Sequence, residues 1–252
     1  MKFKTVRVIE RLAVLSVLTI CMTSCSMNQK PVLTTLSGKV LFVGDSFTGT
    51  NDGLENHVKK LAASATPPKL LQADGNTQAG ATLKVQYGRP EIHDEIHKGY
   101  YDVFVLQDDI PELTEHSFEP FFVNAKLLIE EIRKAGSKPL LFMAWPYERL
   151  NWVSLEEIAD AHRKISKELD VPVAPVGMAF HKAEEQRPSL NMLGDDKEHE
   201  TIHGTYMAAC VIYATLFGQN PQGLTYAPNG VSAEEAAFLQ RVAWETVQEW
   251  NK

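Results

Sequence analysis

The sequence is poor in cysteine and has no excess of positive charge. It contains three cysteines, Cys21, Cys25 and Cys210, too few and too scattered for a disulfide framework or a cysteine-based metal site. The formal net charge is −7, which argues against a nucleic-acid partner, because phosphate binding relies on clustered Lys and Arg. Glycine and proline are ordinary in number, at 15 and 13, so collagen-like and low-complexity classes are excluded.

The apolar run near the N-terminus is too short to span a membrane. It extends from Leu12 to Met22, whereas a membrane-spanning helix needs about 20 residues. A positive segment precedes it, and this combination is typical of a secretory signal peptide, which we assign to 1–24. The positive residues are Lys2, Lys4, Arg7 and Arg11.

The end of this signal, Met-Thr-Ser-Cys at 22–25, has small residues before its cysteine. It resembles a bacterial lipobox, although such boxes usually carry Leu where this chain has Met22. A plain signal peptide cleaved nearby is the alternative. We favour lipidation of Cys25 followed by a tether at 25–38, which predicts a membrane-anchored lipoprotein of the bacterial cell envelope, outer-membrane anchored or periplasmic.

From Lys39 onward, short β-rich runs alternate with longer segments of helical periodicity. Parallel strands need crossover helices and are buried on both faces. The alternation therefore predicts an α/β fold in one domain, 39–252, with a three-layer α/β/α sandwich around a parallel sheet of about five strands. The strand runs are KVLFVG, PKLLQA, YDVFVLQ, KPLLFMAW and VPVAPVG, and the helices are Leu54 to Ala63, Phe121 to Ala135, Leu155 to Leu169, Thr205 to Phe217 and Ala233 to Trp250.

A candidate nucleophile follows the first strand run, at the edge of a parallel sheet where ligands bind. Ser46 belongs to a Gly-Asp-Ser tripeptide, which by itself also fits an ordinary strand-to-helix turn. A nucleophilic serine needs a base, and the base needs an orienting partner. Asp196 and His199, separated by two residues, supply a carboxylate that can hold one imidazole nitrogen while the other faces outward.

These two motifs resemble blocks I and V of the SGNH (GDSL-like) hydrolase family. Block V often continues His-Pro-Ser-x-x-Gly-x-Tyr, and the sequence here is His-Glu-Thr-Ile-His-Gly-Thr-Tyr at 199–206, with the spacing intact. The resemblance spans 39 to around 218. It implies a flavodoxin-like fold and ester hydrolysis through an acyl-enzyme with Ser46, His199 and Asp196 as the triad, without metal or organic cofactor.

The resemblance also implies an oxyanion hole. Its donors would be the backbone N–H of Ser46, the N–H of a block II glycine, best matched by Gly80, and a block III amide. Block III is usually Gly-x-Asn-Asp, whereas this chain has Leu-Gln-Asp-Asp at 106–109, as in a less characterised branch of the family. Gln107 would then donate from an amide one methylene further out than Asn.

Other residues at the strand ends have two interpretations each. Asp108 and Asp109 are either solvated turn residues or ligands for sugar hydroxyls. Trp145 and Tyr147 either wall the pocket and accept a sugar ring or pack in the apolar interior. We assign Asp108, Trp145 and Tyr147 to the substrate pocket.

Two histidines lie one helical turn apart in HDEIH, His93 to His97. The zinc-protease signature requires Glu directly after the first His, and this place holds Asp94. No third ligand follows, so we expect a polar helix face and no metal site. Three further histidines, His57, His116 and His203, are expected at the surface or at helix caps.

Three functions are consistent with these patterns. The favoured one is an exported serine esterase, with a carbohydrate O-acetyl ester as the substrate suggested by the compartment. The alternatives are a lipid-directed esterase or thioesterase and a non-catalytic binding lipoprotein on the same scaffold. No Gly-x-Gly-x-x-Gly or P-loop follows a strand, which disfavours nucleotide chemistry.

Overall fold

The computed structural model describes residues 31–34, 37–109 and 117–252. The predicted signal peptide, Cys25 and His116 lie outside these ranges. Within them a five-stranded sheet has the order β2-β1-β3-β4-β5 and is parallel throughout. Its strands are β1 Ser37–Gly44, β2 Leu70–Thr77, β3 Val103–Gln107, β4 Lys138–Phe142 and β5 Val173–Ala174.

Helices connect the strands and cover the sheet, which confirms the predicted α/β class. In chain order they are α1 Ser46–Gly49, α2 Leu54–Ala63, α3 Leu83–Tyr87, α4 Pro90–His97, α5 Glu119–Lys134, α6 Leu155–Leu169, α7 Val176–Gln186, α8 Ile202–Phe217 and α9 Ala233–Trp250. None of the helices in the described ranges combines the length and the apolar character needed to cross a membrane.

The burial of each element follows from its sequence. All five residues of β3, VFVLQ, are buried, as expected for a central strand covered by helices on both faces. In α8 every residue from Gly204 to Phe217 is buried, because this helix is apolar all round and packs between α2 and α9. The two long outer helices α6 and α9 are amphipathic and begin with capping boxes.

The prediction that VPVAPVG forms the fifth strand is correct for two of its residues and wrong for the others. Only Val173 and Ala174 pair in the sheet, and Val176 already begins α7. Pro172 and Pro175 flank the paired residues, and neither has an N–H for a ladder hydrogen bond. Gly177 does pack closely, as expected, because a Cβ there would collide with the Ala144 carbonyl.

The folded part of the chain begins before Lys39, within the predicted tether. Val32 and Leu33 are buried in the core. The Leu33 N–H donates to the carbonyl of Leu216 at 2.8 Å, and Lys138 Nζ donates to the carbonyl of Val32 at 2.8 Å. The boundary predicted at Lys39 therefore lies too late in the chain. Two apolar residues inside a polar segment do not by themselves indicate a buried segment.

Candidate active site

The site lies where the order of the strands reverses. The chain passes from β1 to β2 on one side and then to β3 on the other side of β1. Loops diverge at such a point and leave a crevice at the carboxyl ends of the two central strands, which is where open α/β sheets bind ligands. Ser46 follows β1 directly, and Gln107 is the last residue of β3.

Ser46 begins the short helix α1 and is held there by hydrogen bonds on both sides. The Asp45 carboxylate caps the helix by accepting from the Phe47 N–H at 2.8 Å, so Asp45 has the turn role expected of it. The Thr50 N–H and hydroxyl both donate to the Ser46 carbonyl, at 2.8 and 2.6 Å. Phe47 and Thr48 are buried, which anchors the turn while Ser46 stays partly exposed.

The structure brings Ser46, His199 and Asp196 together. The Ser46 Oγ lies 2.9 Å from His199 Nε2, and His199 Nδ1 lies 2.9 Å from Asp196 Oδ2. A carboxylate only accepts, so Nδ1 carries the proton and Nε2 is free to accept from the serine hydroxyl. The Glu198 N–H, which donates to Asp196, and the bonded imidazole both lower the pKa of Asp196. The arrangement is that of an activated serine.

The loop that carries Asp196 and His199 is closed on itself. Leu193 and Glu200 form an antiparallel bridge, and the Gly194 N–H donates to the His199 carbonyl at 2.8 Å. Asp196 Oδ1 accepts from the His199 N–H at 3.0 Å. These short-range bonds hold the imidazole and the carboxylate in register.

The same loop is attached to the segment after β4. Trp145 Nε1 donates to the Glu198 carbonyl at 3.0 Å, and Arg149 donates to the Glu198 carboxylate through Nε and Nη2 at 3.1 and 2.8 Å. The Glu148 N–H donates to the Lys197 carbonyl at 3.2 Å. A bidentate ion pair adds geometric definition, so the position of His199 depends on β4 as well as on α8.

Comparison with known proteins supports the assignment of the fold. Neither a family model nor a curated protein matches the sequence. A DUF4886 family protein from Bacteroides uniformis has a TM-score of 0.70 and 17% identity, covering 86% of this chain and 96% of that chain. A putative GDSL-like lipase from Parabacteroides merdae has a TM-score of 0.61 and 15% identity, covering 75% of this chain and 99% of that chain. The chain has the SGNH hydrolase fold.

A further structure with the SGNH hydrolase fold bears on the chemistry of the neighbours. A catalytic mutant of an acetylxylan esterase from Geobacillus stearothermophilus has a TM-score of 0.58 and 16% identity, covering 71% of this chain and 94% of that chain. Identities this low describe the fold. The roles of individual residues in this chain therefore rest on its own geometry.

Gln107, which the sequence matches to block III, ends β3 and is held in one orientation. Its Oε1 accepts from the Asp45 N–H and from the Thr48 hydroxyl, both at 2.9 Å. Gly44 makes room for it, because a Cβ there would collide with the amide. The Gln107 side chain is fully buried, and its Nε2 has no hydrogen-bond partner among the described residues. An unsatisfied amide donor thus lies beside the residue that precedes Ser46.

Gly80, matched to block II, lies in the turn that follows β2. The Gln78 N–H donates to the Gly44 carbonyl at 3.0 Å, and the Ala81 N–H donates back to the Gln78 carbonyl at 3.0 Å. Gly80 has a φ of +65°, a left-handed conformation that glycine adopts freely. It precedes the Thr82 cap of α3 rather than starting the helix. The turn places Gly80 at the same sheet edge as Ser46.

The residues assigned to the substrate pocket are buried instead. Trp145 is 2% exposed, with Phe47 stacked on it at 4.7 Å and Phe180 at 4.2 Å. Both faces of its indole are covered, so it cannot accept a sugar ring. Tyr147 is 4% exposed and donates its hydroxyl to Asp109 at 3.0 Å. The packing interpretation describes both aromatics.

Asp108 is a buried helix-end carboxyl, so neither its assignment to the substrate pocket nor the alternative of a solvated turn residue describes it. Its Oδ1 accepts from the Leu83 N–H in the first turn of α3. Burial raises the pKa of Asp108 to about 7. The hydrogen bond from the Leu83 N–H acts in the opposite direction, and the charge of Asp45 raises the pKa further. These contacts join the end of β3 to α3, behind the crevice.

Glu200, immediately after His199, is a feature that the sequence did not single out beyond its replacing the usual proline. It is 4% exposed, and its Oε1 accepts from the Thr205 hydroxyl at 3.3 Å. Asn51 Nδ2 donates to the Glu200 carbonyl at 3.1 Å and to Thr205 Oγ1 at 2.8 Å, linking the serine side of the site to α8. Burial raises the pKa of Glu200 to about 8, and the charges of Asp45 and Asp196 add to this.

Replacing Glu200 with glutamine is expected to stabilise the protein at alkaline pH. The folded state keeps the Glu200 proton up to about pH 8, whereas an unfolded chain releases it near pH 4.3. Stability therefore falls as pH rises between these values, and Glu200→Gln removes that loss, at about 1.4 kcal/mol per pKa unit. The Tm advantage of the variant should grow from about pH 5 to pH 9.

The control for Glu200 is the exposed Glu168 on α6, where Glu168→Gln should leave Tm within about 1 °C at both pH values. A Tm difference between wild type and Glu200→Gln that stays constant across this range would contradict the assignment of a neutral buried carboxyl.

The other histidines have structural partners. His57 is buried, so its expected surface position was wrong; its Nε2 lies 2.7 Å from the Asn51 carbonyl. His93 Nδ1 lies 2.8 Å from Glu131, and this bond raises the pKa of His93. His97 Nε2 also lies 3.1 Å from Glu131. In the part of the chain that the structure describes, no group of three or more His, Cys, Asp or Glu side chains is placed to hold a metal ion.

Proposed function

We propose that the protein is a serine hydrolase of the SGNH type that cleaves carboxylic esters through an acyl-enzyme. The observation that carries this proposal is the hydrogen-bonded line from Ser46 through His199 to Asp196. Ser46 and His199 are 153 positions apart in the chain, and a strand-to-helix turn alone gives no reason for an imidazole to face the serine.

The mechanism uses groups of this chain and water. Ser46 Oγ attacks the ester carbonyl while His199 Nε2 takes its proton and then returns it to the leaving alcohol. Asp196 keeps the proton on Nδ1 and stabilises the imidazolium. The N–H groups of Ser46 and Gly80 are the donors that would receive the oxyanion, joined by the Gln107 amide once substrate binding opens its buried Nε2 to the crevice. Water, activated by His199, then releases the acyl group.

The substrate that we favour is an O-acetylated carbohydrate. Acetylxylan esterases share the fold, and the His199 side chain is 39% exposed, so the site is accessible to an ester on a large molecule. Any sugar contact has to come from residues other than Trp145 and Tyr147, because both are buried.

We also propose that Cys25 is lipidated and that the protein is exported to the bacterial cell envelope. The support is the sequence: a positive segment, a short apolar run and small residues before Cys25.

A fluorophosphonate probe is expected to label Ser46 covalently, because the probe reacts with serines that a base activates. The wild-type protein should gain one adduct on the Ser46 peptide, measured by mass spectrometry. Ser46→Ala and His199→Ala should abolish labelling. Ser64→Ala, a matched change at the far end of α2, should not.

Equal labelling of wild type and His199→Ala would show that Ser46 is not activated through the imidazole. The absence of any adduct on Ser46 in folded wild-type protein would favour the binding-lipoprotein alternative.

A further inference from the structure

The chain enters the domain at the sheet edge opposite to Ser46. Leu33 bonds to Leu216 near the end of α8, and Val32 bonds to Lys138 at the start of β4. Pro31 packs beside Gly218, directly after that helix. Residues 31–34 therefore lie at the amino ends of the strands, whereas the triad lies at their carboxyl ends.

The lengths of β1 and α8 give the distance between these two edges of the sheet. Strand β1 has 8 residues, which at about 3.3 Å per residue gives roughly 26 Å. Helix α8 has 16 residues and begins close after His199, which at about 1.5 Å per residue gives roughly 24 Å. Both place the triad about 25 Å from the point where the chain enters.

A lipid on Cys25 has a shorter reach than this. Cys25 precedes Pro31 by six positions, and a fully extended chain spans at most about 3.6 Å per residue, or roughly 22 Å. To bring the triad edge onto the bilayer, this segment would have to pass around the outside of the domain, a path longer than the 25 Å or so through it.

We propose that the active site faces away from the membrane, so that its substrate is an ester on a water-soluble or outward-extending molecule, of the kind an O-acylated glycan presents, and not a bilayer lipid. This inference rests on the proposed esterase function and on the proposed lipidation of Cys25. It distinguishes between the carbohydrate and lipid hypotheses, which the sequence alone left open.

The charge of the opposite edge fits a membrane-facing surface. A cavity of about 880 Å³ opens there and is lined by the chain at Pro31 and by basic side chains. Basic residues are attracted to an anionic leaflet, and their clustering contrasts with the formal net charge of −7, although Arg163 is paired with Glu156 and Asp160. The basic lining residues are Arg133, Lys138, Arg163, Lys167 and Lys252, with Asp170 also in the lining.

The test is energy transfer from the acylated full-length protein to headgroup-labelled vesicles of phosphatidylethanolamine and phosphatidylglycerol. Donors are attached at Asp195→Cys, exposed beside the triad, or at Lys134→Cys, exposed at the end of α5. Cys210 is buried, so labelling is confined to the new thiol. We expect markedly stronger transfer from position 134 than from position 195.

A matched variant lengthens the tether by about 20 Gly and Ser residues between Lys30 and Pro31, which adds roughly 25 Å of reach. It should reduce the difference in transfer. Both proteins should hydrolyse a water-soluble acetyl ester equally, and only the long-tether protein should cleave a long-chain ester embedded in the vesicle.

Equal transfer from the two positions in the parent protein, or no binding of the parent to vesicles, would overturn the proposal. So would cleavage of the embedded ester by the parent at the long-tether rate. If neither protein cleaves either ester, the proposed function fails, while the energy transfer still decides the orientation.

Discussion

Ser46→Ala is expected to lower the rate of p-nitrophenyl acetate hydrolysis by roughly 10⁴- to 10⁶-fold, which is the largest effect that the structure predicts. The His199 imidazole lies 2.9 Å from Ser46 Oγ, and without the hydroxyl it has no nucleophile to activate. The rate that remains would come from the oxyanion donors and substrate binding alone. Steady-state kinetics on the purified fragment Pro31–Lys252 measures the loss.

The controls separate catalysis from folding. Ser64→Ala makes the same chemical change at the C-terminal end of α2 and should retain full activity. Combining Ser46→Ala with His199→Ala should cost little more than Ser46→Ala alone, because the residues act as a unit. Comparable rates from wild type and Ser46→Ala would sink the esterase assignment. Faster cleavage of long-chain than of acetyl esters would contradict the proposed substrate class.

The parts of the site that could be predicted from the sequence are those that short local sequence patterns indicate. Ser46 follows a buried apolar strand, and the separation of Asp196 from His199 is short enough for one loop to bring their side chains together. The meeting of the two motifs required only that the sheet be parallel, because its carboxyl ends then share an edge. These three residues consequently lie where the motifs indicated.

Burial, by contrast, was not readable from local sequence. Trp145 and Tyr147 follow a strand in a position open to ligands, but Phe47 and Phe180, from distant segments, cover the indole. His57 is polar and lies on an amphipathic helix, yet Tyr226 closes over it. Such contacts are set by tertiary packing, which a single sequence does not specify.

The burial of Glu200 was likewise not predictable from the sequence. The family pattern marked it only as a departure from proline, and an acidic residue in a polar segment is normally solvated. The α8 helix packs so closely behind it, with Gly204 against the Met192 carbonyl, that the carboxyl is enclosed. A buried carboxyl beside a catalytic-type histidine is visible only once that helix is in place.

Gln107→Glu is expected to reduce kcat by about 10²- to 10³-fold with little change in KM, because it removes one oxyanion donor. The substitution keeps an oxygen to accept from the Asp45 N–H and the Thr48 hydroxyl. It exchanges the unpartnered Nε2 for a carboxyl oxygen, and in assays at a pH high enough to ionise this buried carboxyl that oxygen cannot donate and repels the developing negative charge. Acetyl-ester kinetics, with Tm measured alongside, gives the result.

Thr48→Val is the matched control, since it removes one donor to Gln107 Oε1 and leaves Nε2 unchanged. We expect a loss of kcat below about 10-fold for this variant, because the Asp45 N–H still holds the amide. If both variants lose the same fraction of activity, in proportion to their loss of Tm, Gln107 only braces the turn that carries Ser46. A loss confined to kcat of Gln107→Glu, with folding retained, would make the Leu-Gln end of β3 a working substitute for the usual asparagine.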